Sequence, residues 1–345
     1  MYLIIKCPWP FYYQVQIIDT GMCKNNVRKP GKIMNNRLIE KIIEDYFNTD
    51  RCCKIDLIKG GLTNYNYRVT MTSGRQYFLK IFRNADFARV QGIAELIRMI
   101  GKWRFPTPEL IRCNTGQYYW LGENQAAILT DYIEGSYPEK NTANLYKIGV
   151  LLGVLHQVPV EGKLLHGYSL NYEKQLADIQ RSKQSLPPDL ENFLGVIDPV
   201  IRGIPPGGFS ESIIHGDIFT DNLLLTDLDD IFFIDFEGGC VDKSIFDLSR
   251  AVIGCAIDRD EIRPELTLAL LKGYDESRKL SPLERAYLFE NILYAGTVST
   301  LWRFIEFQIK RPEENKPGLY RKLMNPTLRF AQLGKDRFME STCLT

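Results

Sequence analysis

The sequence predicts an α+β protein with two lobes, a small β-rich lobe followed by a larger helical lobe. Segments of strand length and turn composition dominate residues 54–131, whereas after residue 141 apolar side chains recur mainly at helical spacing. Two short apolar strands around residues 213–235 interrupt the helical part, and both end in acidic residues. This combination places a candidate site where the strands meet the helices.

The elements of the small lobe follow from local patterns. A first amphipathic helix is predicted over residues 36–48, where apolar residues recur at helical spacing: Leu38, Ile39, Ile42, Ile43, Tyr46 and Phe47. Three strands (54–58, 65–71 and 76–82), a helix (86–101) and two more strands (117–121 and 125–131) come next. The segment Asp131-Tyr132-Ile133-Glu134-Gly135 then reads as a connector between the lobes.

The large lobe is predicted to be helical. Its expected helices span residues 142–157, 171–183, 189–200, 244–257, 262–275, 281–309 and 318–333. The sequence shows no internal repeat and no low-complexity segment. We therefore expect an N-lobe over residues 34–135 and a C-lobe over residues 136–345.

Residues 1–33 do not fit either lobe. They are apolar and aromatic at first, but Lys6, Pro8 and Pro10 interrupt the run before it is long enough to span a bilayer. The basic start and cleavage site of a signal peptide are missing as well. We expect an N-terminal extension that is poorly ordered and lies outside the catalytic fold.

Composition narrows the classes of partner. The chain carries 43 basic and 42 acidic residues, a net charge of +1, which gives no reason to expect nucleic acid or a membrane as partner. Eight cysteines occur without a C-x-x-C pair, and there are three histidines, which argues against a zinc site. Reduced thiols in the cytoplasm are the default expectation.

The strongest chemical signal is the stretch from His215 to Asn222, followed by a second strand that ends in Asp235-Phe236. It reads H-x-D-x-x-x-x-N, the spacing used for phosphoryl transfer. Asp217 is the candidate base that positions an attacking hydroxyl. Asn222 and Asp235 are candidate Mg²⁺ ligands, because Mg²⁺ takes a few protein oxygens together with phosphate oxygens. The alternatives are a turn residue for Asp217 or Asn222 and a capping acid for Asp235.

Nucleotide contacts are expected from the small lobe. Lys80 shares a strand face with Phe78 and Phe82, so it either snorkels or points into a cleft to hold phosphates. Glu95 follows fifteen residues later on the predicted helix and could pair with it.

The loop between the first two strands, Gly60-Gly61-Leu62-Thr63-Asn64, matches neither G-x-G-x-x-G nor a P-loop. Upstream of Lys80 it is a candidate phosphate-covering loop, with Gly61, Thr63 and Asn64 as contacts. The alternative is an ordinary turn between strands.

Several residues have two interpretations. His215 is either a catalytic residue or, as we expect, a structural one that holds the catalytic loop. His156 and His166 are expected to be ordinary core or surface histidines. Asp247 starts an apolar helix, as a cap or as a buried acid that braces the loop. Arg303 lies in a long apolar helix and binds either a substrate carboxylate or a structural acid.

Together these motifs resemble the aminoglycoside phosphotransferase and choline kinase superfamily over roughly residues 36–335. Within it, Asp217-Ile218-Phe219-Thr220-Asp221-Asn222 resembles the D-[LI]-F-x-D-N of type II homoserine kinases. The stretch Gly61-Leu62-Thr63-Asn64-Tyr65-Asn66 resembles the short phosphate loop of these enzymes, and Asp247-Leu248 resembles their D-L-A motif. The helix around Trp302-Arg303 resembles a late helix of the homoserine kinases that carries an Arg. The stretch Glu237-Gly238-Gly239-Cys240 departs from their usual pattern.

The resemblance implies a protein-kinase-like two-lobed fold and an enzyme that uses ATP and Mg²⁺. It implies transfer of the γ-phosphate to a small-molecule hydroxyl, first of all that of L-homoserine, for threonine synthesis. Residues 130–135, with Asp131 and Ile133, would border the purine. Choline, an aminoglycoside or a sugar is the alternative acceptor, and a non-catalytic pseudokinase is the remoter alternative. The intact set Lys80, Asp217, Asn222 and Asp235 speaks against the latter.

Overall fold

The computed structural model describes residues 36–58, 64–83, 86–167, 171–314 and 316–342. The expected extension over residues 1–33 and the candidate loop residues Gly61 and Thr63 lie outside these described residues.

The small lobe is built on a five-stranded antiparallel sheet in the order β1-β2-β3-β5-β4. Its strands are β1 (Cys52–Leu57), β2 (Tyr65–Met71), β3 (Gln76–Phe82), β4 (Trp120–Leu121) and β5 (Ala126–Asp131). Two helices accompany the sheet, α1 (Asn36–Glu44) and α2 (Phe87–Lys102). The Asp86 side chain caps α2 by accepting from the Arg89 N–H at 3.3 Å.

The two faces of this sheet pack against different apolar clusters. Ile39, Ile42 and Ile43 of α1 lie in one cluster with Leu79 and Ile81 of β3, and this cluster belongs to the small lobe alone. The cluster on the other face contains side chains of α2 and continues through the core of the large lobe. Because successive residues of a strand point to opposite faces, Lys80 faces away from the α1 cluster.

The large lobe is predominantly helical. Its helices are α3 (Thr142–Leu155), α4 (Tyr172–Ser182), α5 (Pro188–Ile201), α6 (Ser244–Cys255), α7 (Pro264–Ser277), α8 (Pro282–Ala286), α9 (Leu288–Phe304), α10 (Arg321–Leu333) and α11 (Lys335–Thr342). Short antiparallel pairs lie between them: β6 (Glu211–Ile214) with β9 (Cys240–Lys243), β7 (Leu223–Leu225) with β8 (Ile231–Phe233), and β10 (Ile257–Asp258) with β11 (Glu261–Ile262). All twelve residues of α6 are buried.

Helix α6 packs closely beneath the loop that follows β6. A Cβ added at Gly254 would lie 1.9 Å from the Ile218 carbonyl oxygen, so no larger residue fits there without a shift of the backbone. This close approach matters because α6 carries Asp247 and Arg250 toward that loop.

The predicted two-lobed α+β architecture is confirmed, with differences in detail. The long helix expected over residues 281–309 is divided into α8, α9 and a π-helical segment, Ile305–Lys310. The β10–β11 pair and α11 were not expected. Among the described residues no helix is both long and apolar enough to cross a membrane.

Candidate active site

The candidate catalytic loop leaves β6 at His215-Gly216-Asp217. The His215 side chain is buried beneath the loop, where Nε2 donates to the Ile234 carbonyl oxygen at 2.8 Å and Nδ1 accepts from the Asp217 N–H at 3.2 Å. Gly216 has a φ of 78°, a conformation that favours glycine, and it turns the chain so that Asp217 leaves the buried strand. His215 therefore holds the loop, in keeping with the structural role expected for it.

Asp247, at the start of α6, braces the same loop. It is fully buried and accepts hydrogen bonds from the backbone N–H groups of His215 at 2.7 Å and Gly216 at 2.8 Å. Burial by itself raises the pKa of Asp247, but the hydrogen bond from His156 and the contacts with the His215 segment outweigh burial, so the pKa of Asp247 lies below its ordinary value. Of the two sequence interpretations, the bracing acid is the one observed.

His156 is buried in the core, one of the two environments expected for it, and it extends this brace. Its Nε2 lies 3.2 Å from the Asp247 carboxylate and its Nδ1 lies 2.7 Å from the Tyr274 hydroxyl. Arg278 donates to that hydroxyl oxygen at 2.8 Å and also pairs with Glu284 at 2.9 Å. Burial lowers the pKa of His156, so it is a neutral ring that donates to Asp247. Because the partners in this link are far apart along the chain, no local sequence pattern indicates it.

Asp217 has both carboxylate oxygens engaged. Asn222 Nδ2 donates to Asp217 Oδ2 at 3.0 Å and to the Asp217 carbonyl oxygen at 2.7 Å. Arg250 of α6 forms an ion pair with the other oxygen, Oδ1. The Asp217 side chain nevertheless stays 45% exposed, so it faces the cleft. Since Asn222 uses only Nδ2 for these bonds, its amide oxygen remains for a cation.

Asp235 comes next to Asn222 through the β7–β8 hairpin. Leu223 pairs with Phe233, and the Ile234 N–H donates to the Asn222 carbonyl oxygen at 3.0 Å, which brings the two predicted metal ligands to the same end of the hairpin. Asp235 has a φ of 65°, a strained conformation for a residue other than glycine.

Carboxylate and amide oxygens suit Mg²⁺, so the donor types fit a divalent cation held between protein and phosphate. No group of three or more His, Cys, Asp or Glu residues in the described ranges could hold a metal ion by itself.

Lys80 meets two acids rather than one. Its Nζ lies 2.7 Å from Asp235 Oδ1 and forms a second ion pair with Glu237, while its side chain is only 9% exposed. Burial alone would lower the pKa of Lys80, but the two carboxylates outweigh burial and raise it. The same contacts lower the pKa of Asp235 against the effect of burial, whereas burial and the charge of Asp235 raise the pKa of Glu237.

The expected pairing of Lys80 with Glu95 is wrong. Glu95 accepts from Arg98 instead, at 2.6 and 2.9 Å, and this contact is the main cause of its lowered pKa. The reason is the orientation of α2, whose buried face carries Ile93, Leu96, Ile97 and Ile100, with Glu95 outside it. Glu237, from the strand end after Asp235, takes the place assigned to Glu95.

Asn64 borders the same group. Its Nδ2 donates to Glu237 Oε1 at 2.7 Å, and its Oδ1 accepts from the Arg83 N–H at 3.1 Å. On the far side, Arg89 of α2 donates to the Glu237 carbonyl oxygen at 2.6 Å. These contacts line a cavity of about 190 Å³ between β3, α2 and Glu237. Asn64 is thus a described residue of the predicted loop that contacts Glu237, one of the two acids paired with Lys80.

The connector between the lobes follows β5. Burial and then the nearby Glu109 raise the pKa of Asp131, the last residue of that strand. Ile133 is half-buried. Ser136 exchanges backbone hydrogen bonds with Leu225 of β7 at 2.8 and 2.9 Å, which ties the connector to the catalytic hairpin. The end of the predicted purine-bordering segment therefore lies beside β7, the strand that begins directly after Asn222.

Arg303 lies close to the end of α9, beside the catalytic loop. Its guanidinium carbon is 5.8 Å from the ring centre of Phe219, and Arg250 lies 4.9 Å from the same ring. Among the described residues, Arg303 makes no hydrogen bond and no ion pair. Burial and then the charge of Arg250 lower its pKa, while the charges of Asp217 and Asp221 oppose them. No structural acid pairs with Arg303 in the described ranges, so that alternative has no support there.

Two site residues were missed by sequence reasoning. Glu237 stands two residues after Asp235, and only the fold brings it to Lys80. Arg250 is an isolated cation in an apolar helix, the same signal that drew attention to Arg303. That signal would have found it.

Comparisons with known proteins agree with this geometry. The model of the "Phosphotransferase enzyme family" matches residues 54–282, which include Lys80, Asp217, Asn222 and Asp235. The chain is 26% identical over 281 residues to a homoserine kinase of Neisseria meningitidis serogroup B, covering 77% of this chain and 89% of that protein. It is 23% identical over 257 residues to a homoserine kinase of Zymomonas mobilis, covering 72% and 79%.

Solved structures share the fold. An amicoumacin kinase in complex with AMP-PNP, Ca²⁺ and Ami superposes with a TM-score of 0.68 at 15% identity, over 87% of this chain and 97% of that one. The choline kinase LicA from Streptococcus pneumoniae superposes with a TM-score of 0.61 at 15% identity, over 86% and 97%. The chain thus belongs to the phosphotransferase enzyme family, and it is an ATP-dependent kinase that acts on the hydroxyl group of a small molecule.

Proposed function

We propose that this kinase phosphorylates L-homoserine to O-phospho-L-homoserine. The observation that carries the proposal is Arg303, a half-buried guanidinium beside the catalytic loop with no hydrogen-bonding or ionic partner among the described residues. A guanidinium in such a place favours a bidentate anion such as a carboxylate. Homoserine carries a carboxylate and a primary hydroxyl on one short chain.

The proposed reaction needs little covalent work from the protein. Asp217 Oδ2 accepts the hydroxyl proton while the hydroxyl oxygen bonds to the γ-phosphorus and the bond to the β-phosphate oxygen breaks, leaving ADP. Lys80 holds the α- and β-phosphates, and the segment 130–135, with Asp131 and Ile133, borders the purine. Asn222 and Asp235 would hold Mg²⁺, which neutralises charge on the phosphates when bound.

The domain roles follow from this assignment. Residues 34–135 would bind the nucleotide phosphates, with Asn64 as the described member of the covering loop and Gly61 and Thr63 beyond the described residues. Residues 136–345 would carry the catalytic loop and the acceptor. The extension over residues 1–33, also outside the described ranges, has no part in the proposed chemistry.

The charge of the acceptor pocket supports homoserine over the alternatives. Choline calls for an aromatic cage and an aminoglycoside for an acidic pocket. Here Arg303, which has no ionic or hydrogen-bonding partner in the described part of the chain, and the buried Arg250 lie over one aromatic ring, Phe219, at 5.8 and 4.9 Å. Choline and aminoglycosides bring positive charge without a carboxylate, so they offer no group that Arg303 could bind, whereas homoserine does. The names of the curated relatives point to the same substrate.

The decisive test is ADP release with a panel of alcohols: L-homoserine, choline, an aminoglycoside and a simple sugar. The proposal expects homoserine to have the highest kcat/KM. It fails if choline or an aminoglycoside is preferred to every amino acid, and in that case the assignment as a kinase still stands.

A variant tests the anchor itself. Arg303→Lys keeps the charge but loses the forked geometry, so we expect it to raise KM for homoserine far more than KM for ATP. With 3-aminopropan-1-ol, which lacks the carboxylate, wild type should lose much more activity than Arg303→Lys does. Equal losses in both enzymes would show that Arg303 is structural.

A further inference from the structure

Arg250 is a buried cation that contacts the catalytic loop from below. The residue is 3% exposed and projects from the middle of α6. Its Nη2 pairs with Asp217 Oδ1, its Nη1 donates to Ser299 Oγ of α9, and its guanidinium lies over Phe219. In the described part of the site, Arg250 is the residue of α6 that links both this helix and α9 to the side chain of Asp217.

The ion pair is unevenly exposed, which decides how Arg250 acts. The Asp217 side chain is 45% exposed, whereas that of Arg250 is 4% exposed. The carboxylate therefore opens to the cleft and the guanidinium lies beneath it, out of reach of an acceptor that enters from the cleft. Arg250 therefore acts on the reaction indirectly, and Asp217 is the cleft residue with which it forms an ion pair.

The contacts on Asp217 divide its two oxygens between two partners. Arg250 engages Oδ1 and the Asn222 amide donates to Oδ2 at 3.0 Å, from different sides of the carboxylate. Two fixed donors on one carboxylate leave it a single orientation, and placement of the reacting groups within tenths of an ångström is a large part of phosphoryl-transfer catalysis.

The position of Arg250 is itself fixed. Gly254, one helical turn further along α6, lets the helix approach until a Cβ would lie 1.9 Å from the Ile218 carbonyl oxygen. Ser299 is held in turn by a hydrogen bond to the Ala295 carbonyl oxygen at 2.5 Å. The guanidinium is thus pre-organised before substrate binds.

We propose that Arg250 is a positioning residue for phosphoryl transfer, which orients the Asp217 carboxylate from beneath the cleft with Ser299 as its support. This inference rests on the proposed role of Asp217 as the base, and not on which alcohol is phosphorylated. It assigns to α6 and α9 a share in catalysis that the motif residues alone do not show.

The test is chemical rescue. Arg250→Ala should lower kcat by about 10²-fold, the scale lost when a general base is misplaced, with little change in KM for ATP. Added millimolar guanidinium should restore roughly a tenth or more of the lost rate by refilling the buried site, while wild type gains nothing. Arg250→Lys keeps the charge and should fall between wild type and Arg250→Ala.

Arg285→Ala is the matched control. Arg285 also pairs with an acid in the large lobe, Asp275 at 2.7 Å, but lies outside the site. It should retain kcat and show no response to guanidinium. A lower melting temperature for Arg250→Ala, with parallel losses in kcat and nucleotide affinity and no rescue, would overturn the proposal in favour of a purely structural ion pair.

Ser299→Ala is a second variant that tests the role of Arg250 if Arg250→Ala does not fold. It removes one partner of Arg250 without burying a new charge, and should lower kcat several-fold with unchanged KM for ATP. Unchanged kcat in Ser299→Ala together with wild-type kcat in Arg250→Lys overturns the proposal. All rates are measured with the alcohol of the panel that has the highest kcat/KM. If homoserine is not phosphorylated but another alcohol is, the substrate proposal fails, and the role of Arg250 is still decided by the variants.

Discussion

Replacing Asp247 should destabilise the protein and misplace its catalytic loop at once. The carboxylate is buried and accepts the His215 and Gly216 N–H groups at 2.7 and 2.8 Å, together with the His156 ring. Asp247→Asn has the same shape but offers one acceptor oxygen, so its NH₂ group would face a donor. Asp247→Ala removes both acceptors.

The magnitude follows from the groups left unpaired. A buried N–H without an acceptor costs about 1–3 kcal/mol. Asp247→Asn should therefore lower the free energy of unfolding by about 2–3 kcal/mol, and Asp247→Ala by about 3–5 kcal/mol, the range for breaking a buried charged network. Against a total of about 5–15 kcal/mol this is a large share, and it corresponds to a fall in melting temperature of roughly 5–10 °C.

The assay pairs thermal unfolding with kcat measurements below the melting temperature of the weakest variant. The control is Asp229→Asn, which changes an exposed acid paired with Lys147 in the same lobe and should shift stability by less than about 0.5 kcal/mol. Asp247→Asn should also lower kcat, because its backbone partners lead directly into Asp217. If the Asp247→Asn enzyme has the melting temperature and the kcat of the wild type, the idea that this acid holds the loop is refuted.

Further predictions concern acid, the nucleotide and the N-terminus. Because burial lowers the pKa of His156 below its ordinary value of 6.5, the unfolded chain binds this proton more readily than the folded protein does. Stability should be complete above about pH 6.5 and fall as the pH drops below it; urea midpoints at several pH values should show this slope, and His156→Gln should flatten it. Glu237→Gln should raise KM for ATP several-fold with a smaller effect on kcat, since Lys80 loses one of two acids that aim it; an unchanged KM, measured by ADP release, would count against that role. A chain that starts at Met34 should match the full chain in melting temperature and kcat if residues 1–33 lie outside the catalytic fold, and a clear loss of either would show that they contribute.

Local periodicity predicted what depends on local contacts. The bounds of β2 and β3 coincide with the predicted strands, 65–71 and 76–82, because alternation along a paired strand is a short-range pattern. The end of α1 was placed four residues too late, at 48 instead of Glu44. Tyr46 lies in the turn after the helix, yet its side chain is buried in the same apolar cluster as those of α1. The spacing of apolar residues alone therefore could not mark where the helix ends.

Contacts between distant segments were beyond local reasoning. The partner of Lys80 is Glu237, 157 positions away, and that of His156 is Asp247, 91 positions away. A count of fifteen residues from Lys80 led to Glu95, but which face of a helix turns inward depends on what packs against it. Arg250 could have been found, since an isolated Arg in an apolar helix already signals a buried anion.

The sheet of the small lobe, with different apolar clusters on its two faces, also divides the protein into units that should open separately. Helix α2 shares its cluster with the core of the large lobe, while α1, nine residues long, packs among the described residues in the cluster of the small lobe. Amide protons of α1 should therefore exchange with solvent through a local opening of low free energy, whereas those of α2 should be released together with the strand that carries the catalytic loop. For cooperative unfolding, the boundary between the two units therefore runs along the sheet rather than through the connector. A bound nucleotide that contacts both Lys80 and Asp235 should slow the exchange of the α2 amide protons more than that of the α1 amide protons.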